Sequence, residues 1–306
     1  MNRRDFLGGC LGCYLSFALT GCTSTPVTNR KQLSIYPDSV INRQASLMYK
    51  RMIQRSKLSD DKDQLKTIID IGEKQVEAID HFFKKLKKPN PVANYKWEYN
   101  LIDNKMANAF CFPGGKIGIF TGILPYTANK DGLASVMGHE IAHAVARHSA
   151  ERMSRAIAVT LGTGIADAVT GGAVSRTRDA IGQITGVDVV DSTLMRPHGR
   201  SQESEADYMG LIFASLSGYD INESVRVWKR MNKKFGKKEF PEFLSTHPST
   251  KTRILDLRGL IPEVRKKYPP LNIWKIFSCP ATLKLDFKLN RSLNLIYIFK
   301  YQKNGI

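Results

Sequence analysis

The strongest pattern along the chain is apolar residues returning every three or four positions, the spacing that lines one face of a helix. Leu65, Ile68, Ile69, Ile71, Val76, Ile79, Phe82, Phe83 and Leu86 draw such a stripe between Asp61 and Lys88. Lys84, Lys85, Lys87 and Lys88 suit a helix C-terminus, and Pro89 stops it. Val40–Ser56 reads as the preceding helix. A third stripe, Leu133, Val136, Met137, Ile141, Ala144 and Val145, follows Asp131, a candidate cap. A fourth runs through Leu211, Ile212, Phe213 and Leu216 to Gly218, and Asn222–Met231 gives a fifth.

Shorter stretches carry the two-residue period of strands. Trp97–Ile102 and Lys116–Thr121 are predicted strands joined through residues 108–115. The second alternates weakly and holds Gly118, as an edge strand passed closely by another backbone does. An open edge binds an extended peptide by main-chain hydrogen bonds, so Gly115, Lys116, Ile117 and Gly118 are candidate substrate positions. An ordinary hairpin is the plainer alternative. Residues 162–199, rich in Gly, Ala, Thr and Val, fit either helices covering a cleft or simple core. Leu283, Leu285, Phe287 and Leu289 alternate with polar residues before a β-prone run at 293–301, so residues 269–306 read as an extension holding a hairpin. The expected fold class is α+β, mainly helical, with the principal domain at residues 40–268.

The N-terminus changes the picture of where this domain works. Arg3 and Arg4 precede a short apolar run, Leu7–Leu19, diluted by glycines and too short to span a bilayer. Residues 1–21 are therefore expected to be a signal peptide, with a twin-arginine and an ordinary secretory route both open. Leu19-Thr20-Gly21-Cys22 resembles a bacterial lipobox, which would make Cys22 the lipidated first residue of the mature chain. Residues 22–39 are polar and contain proline, as a tether would. The residue after Cys22 is Thr23 and not Asp, a resemblance that points to the outer rather than the inner membrane. The expected compartment is the bacterial periplasm.

That placement decides how the charge is read. A net charge of +18 over 306 residues, with a pI near 9.7, would suggest nucleic acid in a cytoplasmic protein. In an exported one it suits anionic lipid, acidic protein or bare solvent, and no nucleic-acid partner is expected. Of five cysteines, Cys10 and Cys13 fall in the signal and Cys22 in the lipobox. Cys111 and Cys279 remain, and no disulfide between them is expected.

The chemistry is concentrated in His139-Glu140-x-x-His143, inside the third helical stripe. A helix turns about 100° per residue, so side chains four apart leave one face and two imidazoles can hold a single Zn²⁺. Glu140, beside the first histidine, reaches a water and not the ion, and can take its proton. The alternative is a core helix with two satisfied histidines. A metzincin would require Gly at 146 and His at 149, but Ala146 and Ser149 stand there. His148 is one residue short and lies about half a turn around the helix from His139, so it cannot share that metal and is expected to be a structural or supporting group. A third donor must come from elsewhere. Glu203 and Asp207, four apart, share a helix face, while Glu205 points the other way.

Asn108-Ala109-Phe110-Cys111-x-Pro113-Gly114-Gly115-Lys116-Ile117, Thr121-Gly122-Ile123-Leu124 and the His139–His143 helix together resemble the HtpX/BepA/Oma-type zinc metallopeptidases. That family also holds the prenyl-protein peptidases of the endoplasmic reticulum. The similarity runs from about residue 40 to about residue 262. It implies a zincin-type fold with a small sheet beside the active-site helix, and one Zn²⁺ per chain. Through the family's Glu-x-x-x-Asp motif it makes Glu203 the third ligand, with Asp207 either a hydrogen-bonding support or a proton donor. Thr246-His247-Pro248 followed by Arg253 resembles BepA-like members, where the histidine can fill zinc's fourth position and keep the enzyme latent. A His-Pro turn is the alternative for His247. The implied function is a metalloendopeptidase acting on unfolded or misassembled envelope proteins. A chaperone or binding lipoprotein with a latent zinc site is the competing expectation, against which Glu140 weighs. After Pro262 too few residues remain for the tetratricopeptide array of BepA.

Overall fold

The amphipathic stripe after Asp61 forms a helix for the reasons its sequence suggests. In the computed structural model, which describes residues 22–35, 37–158, 198–235, 243, 247 and 251–271, the Asp61 carboxylate accepts the Gln64 N–H at 2.9 Å. The helix closes at Lys87, whose φ of 53° is left-handed. Its buried face takes Ile68, Ile71, Ile79, Phe82 and Phe83 from the predicted stripe and adds Ala78, while Leu65, Ile69 and Val76 are half-buried and Leu86 is exposed. We call it α2 (Lys62–Leu86); α1 (Asp38–Arg55) precedes it and buries Ile41, Ala45 and Tyr49. All described residues fall in the unit Met1–Leu271. The expected hairpin at the C-terminus and the stretch 162–197 lie outside the described residues.

Residues 22–33 do not behave as a free tether. β1 (Cys22–Ser24) and β2 (Lys31–Leu33) pair antiparallel, with Cys22 opposite Leu33. The Thr25 hydroxyl accepts the Arg30 N–H at 3.0 Å, and the Thr25 N–H donates to the Arg30 carbonyl at 2.8 Å. The polar residues that suggested a solvated linker are the hydrogen-bonding partners of this turn.

The sheet corrects a second expectation. β3 (Glu98–Ile102), β4 (Ala109–Phe112) and β5 (Lys116–Phe120) stand in the order β3-β5-β4, with β5 parallel to β3 and antiparallel to β4. Lys116, Ile117 and Gly118 therefore sit on the central strand, with Ile117 between Tyr99 and Cys111, and they offer no free edge. Gly115 lies in the β4–β5 turn at φ +81°. Gly118 is small for a different reason, since a Cβ there would meet the Phe110 ring on β4 at 2.3 Å. All four residues of β4 are buried, so the strand shows no alternation to read.

After a 3-10 turn at Thr121–Ile123, α3 (Leu124–Thr127) leads into α4 (Lys130–Val145). The cap of α4 is Asn129, which accepts the Gly132 N–H at 2.7 Å; Asp131 instead accepts the Asp220 N–H. α4 ends at Val145, Arg147 takes φ +59°, and residues 148–158 are again helical. α5 (Arg200–Leu216), α6 (Asn222–Phe235) and α7 (Lys251–Lys267) follow. Among the described residues, no helix is long and apolar enough to cross a membrane.

α4 and α5 are buried along most of their length and meet backbone to backbone. A Cβ on Gly210 would lie 2.9 Å from the His139 nitrogen, and one on Gly138 would lie 3.0 Å from the Gly210 carbonyl oxygen. Neither neighbour is a side chain that can swing away, so the helices themselves would have to separate. Gly210→Val is expected to lower stability by about 1–3 kcal/mol and to weaken zinc binding with it. Urea denaturation and competition with a chromophoric chelator measure the two effects; wild-type values in both would show that this contact does not set the helix spacing.

Candidate metal centre

Four side chains from α4, α5 and the segment before α7 converge in one buried spot. His139 and His143 bring their Nε2 atoms to 3.0 Å of each other. From α5, Glu203 places Oε1 3.4 Å from His143 Nε2 and Oε2 3.5 Å from His139 Nε2. His247 Nδ1 lies 3.0 Å from Glu203 Oε1 and 3.3 Å from His139 Nε2. One ligand atom from each of the four falls within 4.8 Å of the rest. Tetrahedral zinc with bonds of about 2.0–2.1 Å sets neighbouring donors about 3.3–3.4 Å apart. These separations, and a set of imidazoles with one carboxylate, fit that ion.

Glu140 stands beside this group without belonging to it. Its carboxylate is buried, and among the described residues its Oε1 accepts no hydrogen bond, with His247 Nε2 at 3.4 Å. Burial raises its pKa, against the lowering pull of His247 and His139, which makes it a stronger base than a solvated glutamate.

The hydrogen bonds behind the two imidazoles fix which nitrogen faces the centre. His139 Nδ1 is 3.0 Å from Asp207 Oδ1, so its proton belongs on Nδ1 and its Nε2 lone pair points inward. His143 reaches the same state by a longer route. Its Nδ1 is 2.7 Å from His148 Nδ1, and His148 Nε2 is 3.0 Å from Glu205 Oε2. A carboxylate accepts from His148 Nε2, leaving His148 Nδ1 to accept from His143 Nδ1 and His143 Nε2 free. The break at Arg147 turns His148 back toward His143, where a continuous helix would have carried it away.

Arg253 binds the carboxylates together from α7. Its Nε and Nη2 donate to the two oxygens of Asp207 at 2.6 and 2.7 Å, and its Nη1 lies 2.7 Å from Glu203 Oε2. The guanidinium also lies 4.0 Å over the Trp228 ring. Burial works to raise the pKa of both acids, but Arg253 and His139 outweigh it at Asp207, and His247, His139 and Arg253 outweigh it at Glu203. Burial likewise opposes a charge on His139, yet Asp207 and Glu203 raise its pKa to about 9, so a metal ion must displace a proton there. His143 is held neutral by burial and by the imidazoles around it. His198 lies with its ring centroid 3.7 Å from that of His143, and Arg152 donates to it.

The comparison with known proteins agrees with this geometry. Residues 73–261, which contain each of these four donors and Glu140, match peptidase family M48. The chain belongs to that family. M48 peptidases use zinc, and the mainly helical architecture with its small sheet is the zincin-type fold of M48. The mitochondrial metalloendopeptidase OMA1 of Schizosaccharomyces pombe is 36% identical over 190 residues, covering 62% of this chain and 54% of its own. The OMA1 enzyme of Saccharomyces cerevisiae is 39% identical over 180 residues, covering 56% of this chain and 49% of its own. The β-barrel assembly-enhancing protease of Escherichia coli is 28% identical over 174 residues, covering 55% and 35%. The chain spans about half the length of the first two relatives.

The structure thus brings together His139, Glu140, His143, Glu203, Asp207 and His247 and leaves Lys116–Gly118 in the middle of the sheet. Cys111, free and buried on β4, lies close enough to Glu140 to feel its charge. Cys279 is outside the described residues, as is everything in Cys22 beyond its backbone. Sequence reasoning expected a structural, supporting role for His148, which its contact with His143 Nδ1 fits, but did not find those of Glu205 and Arg253, whose side chains carry signals only once the Arg147 break and the position of α7 are known.

Proposed function

We propose that this chain is a zinc-dependent metalloendopeptidase that cleaves unfolded or misassembled envelope proteins. The observation that carries the reading is the Glu140 carboxylate, buried next to the convergent ligand set and, among the described residues, without a donor on Oε1. A purely structural zinc site has no use for such a base. His139, His143 and Glu203 would hold the ion. Zinc bound there supplies Lewis acidity, polarising an acyl oxygen and acidifying a water. Glu140 accepts the proton of the attacking water and delivers it to the leaving amine. Asp207, with both oxygens engaged by Arg253 and one by His139, serves to orient that imidazole and has no proton to give.

Substrate would lie along β4, the strand that packs against α4 and whose side away from β5 meets no further strand among the described residues, although next to it the Ala107 carbonyl accepts the Phe243 N–H. Asn108 accepts the Phe120 N–H, so the alternation turns the peptide groups of Ala109 and Cys111 outward from β5. Main-chain pairing there would favour extended, unfolded segments over folded ones. The names of the β-barrel assembly-enhancing relatives support an envelope role. The signal-like N-terminus and lipobox support periplasmic placement, with lipid on Cys22 holding the chain to the outer membrane.

His247 favours a second reading in part, since it stands 3.0 Å from Glu203 and faces Glu140, where it could serve as a fourth ligand. A protein closed permanently in this way would be a binding or chaperone lipoprotein. Our reading makes His247 a removable plug: His247→Ala is expected to increase cleavage of casein and to change zinc coordination seen by X-ray absorption. Chelation is expected to abolish cleavage by both proteins, and added zinc to restore it. Chelator-insensitive cleavage would overturn the metallopeptidase reading. Unchanged coordination in His247→Ala would remove the plug.

A further inference from the structure

The β1–β2 hairpin is fastened to the back of the metal centre through one guanidinium. Arg30 Nε donates to Glu205 Oε2 at 2.7 Å, while Nη1 and Nη2 donate to Glu151 Oε1 and Oε2 at 3.0 and 2.8 Å. The Thr28 hydroxyl donates to the other oxygen of Glu205. Glu151 and Glu205 are both buried, and Gln202 from α5 completes the grip on Glu151 at 2.9 Å. From Glu205 the chain of contacts runs through His148 to His143.

We propose that Arg30 is a positioning residue of the metal centre, acting through Glu205 and His148 to keep His143 an Nε2 donor, so that residues 22–33 are a working part of the site. The proposal rests on the reading of His143 as a zinc ligand. Glu205 must present Oε2 to His148 for the proton on His148 to stay at Nε2. Arg30, with the hydroxyls of Thr25 and Thr28, holds that carboxylate in place from the hairpin side. Without Arg30, Glu205 keeps the hydroxyls of Thr25 and Thr28 and His148 itself, but no cation from the hairpin fixes which oxygen faces His148. His148 can then adopt the other tautomer, with its proton on Nδ1 facing His143 Nδ1. His143 would have to accept there and carry its own proton on Nε2, where no metal can bind.

The other side of the centre repeats the design. Arg253 grips Asp207 through Nε, and Asp207 orients His139, as Arg30 grips Glu205 through Nε and Glu205 orients His148 and His143. One arginine comes from α7, the other from a hairpin that composition presents as a tether. The two imidazole donors of α4 therefore each stand on an arginine-held carboxylate.

The test uses the full chain and reads zinc affinity by competition with a chromophoric chelator, the visible spectrum of the Co²⁺ form, and thermal melting without metal. Arg30→Gln is expected to weaken zinc about tenfold or more, as loss of a partner behind a ligand does, and to shift the Co²⁺ bands. Arg30→Lys should recover part of the affinity. In a His148→Phe background, Arg30→Gln should cost no further affinity, because the path it acts through is already cut. The proposal is overturned if Arg30→Gln lowers only the metal-free melting temperature while affinity and spectrum stay wild-type, or if the two substitutions act independently. A wild-type chain that takes up no zinc would sink the metal centre and this inference together; wild-type uptake with unaffected Arg30→Gln sinks the inference alone.

Discussion

Glu140→Gln is expected to bind zinc as the wild type does and to cleave an unfolded substrate such as casein at least about 10³-fold more slowly, the range lost with a general base. The amide has nearly the volume of the carboxylate, so the buried position beside Cys111 and His247 is refilled without a cavity. No ligand atom is touched, since His139, His143, Glu203 and His247 form the donor set and Glu140 stands outside it. What disappears is a basic oxygen. Burial raises the pKa of Glu140, so the loss falls on a group that both accepts a proton readily and releases it to the departing amine. Metal analysis, circular dichroism and a cleavage assay on the same preparation separate the possibilities. Full cleavage by this variant would point to a contaminating protease and leave the binding reading standing.

The second large effect concerns stability. Arg253→Met is expected to destabilise the metal-free chain by about 3–5 kcal/mol, the usual result of removing one member of a buried ion pair. Arg253 is only 5% exposed and serves two buried carboxylates at once, Asp207 through two hydrogen bonds and Glu203 through its remaining nitrogen. Methionine keeps much of the packing against Trp228 but removes the guanidinium from both acids and leaves them His139 and, at Glu203, His247. Zinc should restore part of the loss, because the ion supplies positive charge to Glu203 and to the His139–Asp207 pair. Urea denaturation with and without zinc measures both terms. A shift below about 1 kcal/mol in the metal-free protein would show that the guanidinium does not offset these charges, whatever its geometry. Adding Asp207→Asn to Arg253→Met should recover some stability, since the neutral amide no longer needs the lost partner.

The helical half of this fold was legible because its signals are local. The stripe of α2, the Gly218 stop and the four-residue spacing of His139 and His143 each lie within a few turns of chain. The same holds for Glu203 and Asp207, whose pairing with the histidine helix needed only the resemblance to find it. β4 was illegible because every one of its residues is buried, so Ala109–Phe112 lacks the polar alternation that marks a half-exposed strand. That omission moved the expected edge from β4 to β5. His148 was read as a supporting group on the far side of the helix from His139, and nothing in Ala146-Arg147 announces the left-handed residue that redirects it toward His143. Arg30 lies 175 residues from Glu205 along the chain, in a segment whose polarity reads as solvent-facing. Only the folded hairpin makes that pair visible.

The contact between Gly138 and Gly210 works as a gauge. Because it is made by main chain on both sides, no rotamer change can widen it, and the span from the two imidazoles to the Glu203 carboxylate is set by the thickness of two bare helices. Ca²⁺, which gathers six to eight oxygens at about 2.3–2.6 Å, finds too few oxygens and too narrow a gap, and Mg²⁺ finds no octahedron. The donor chemistry disfavours those ions, and two residues without a Cβ keep the donors close.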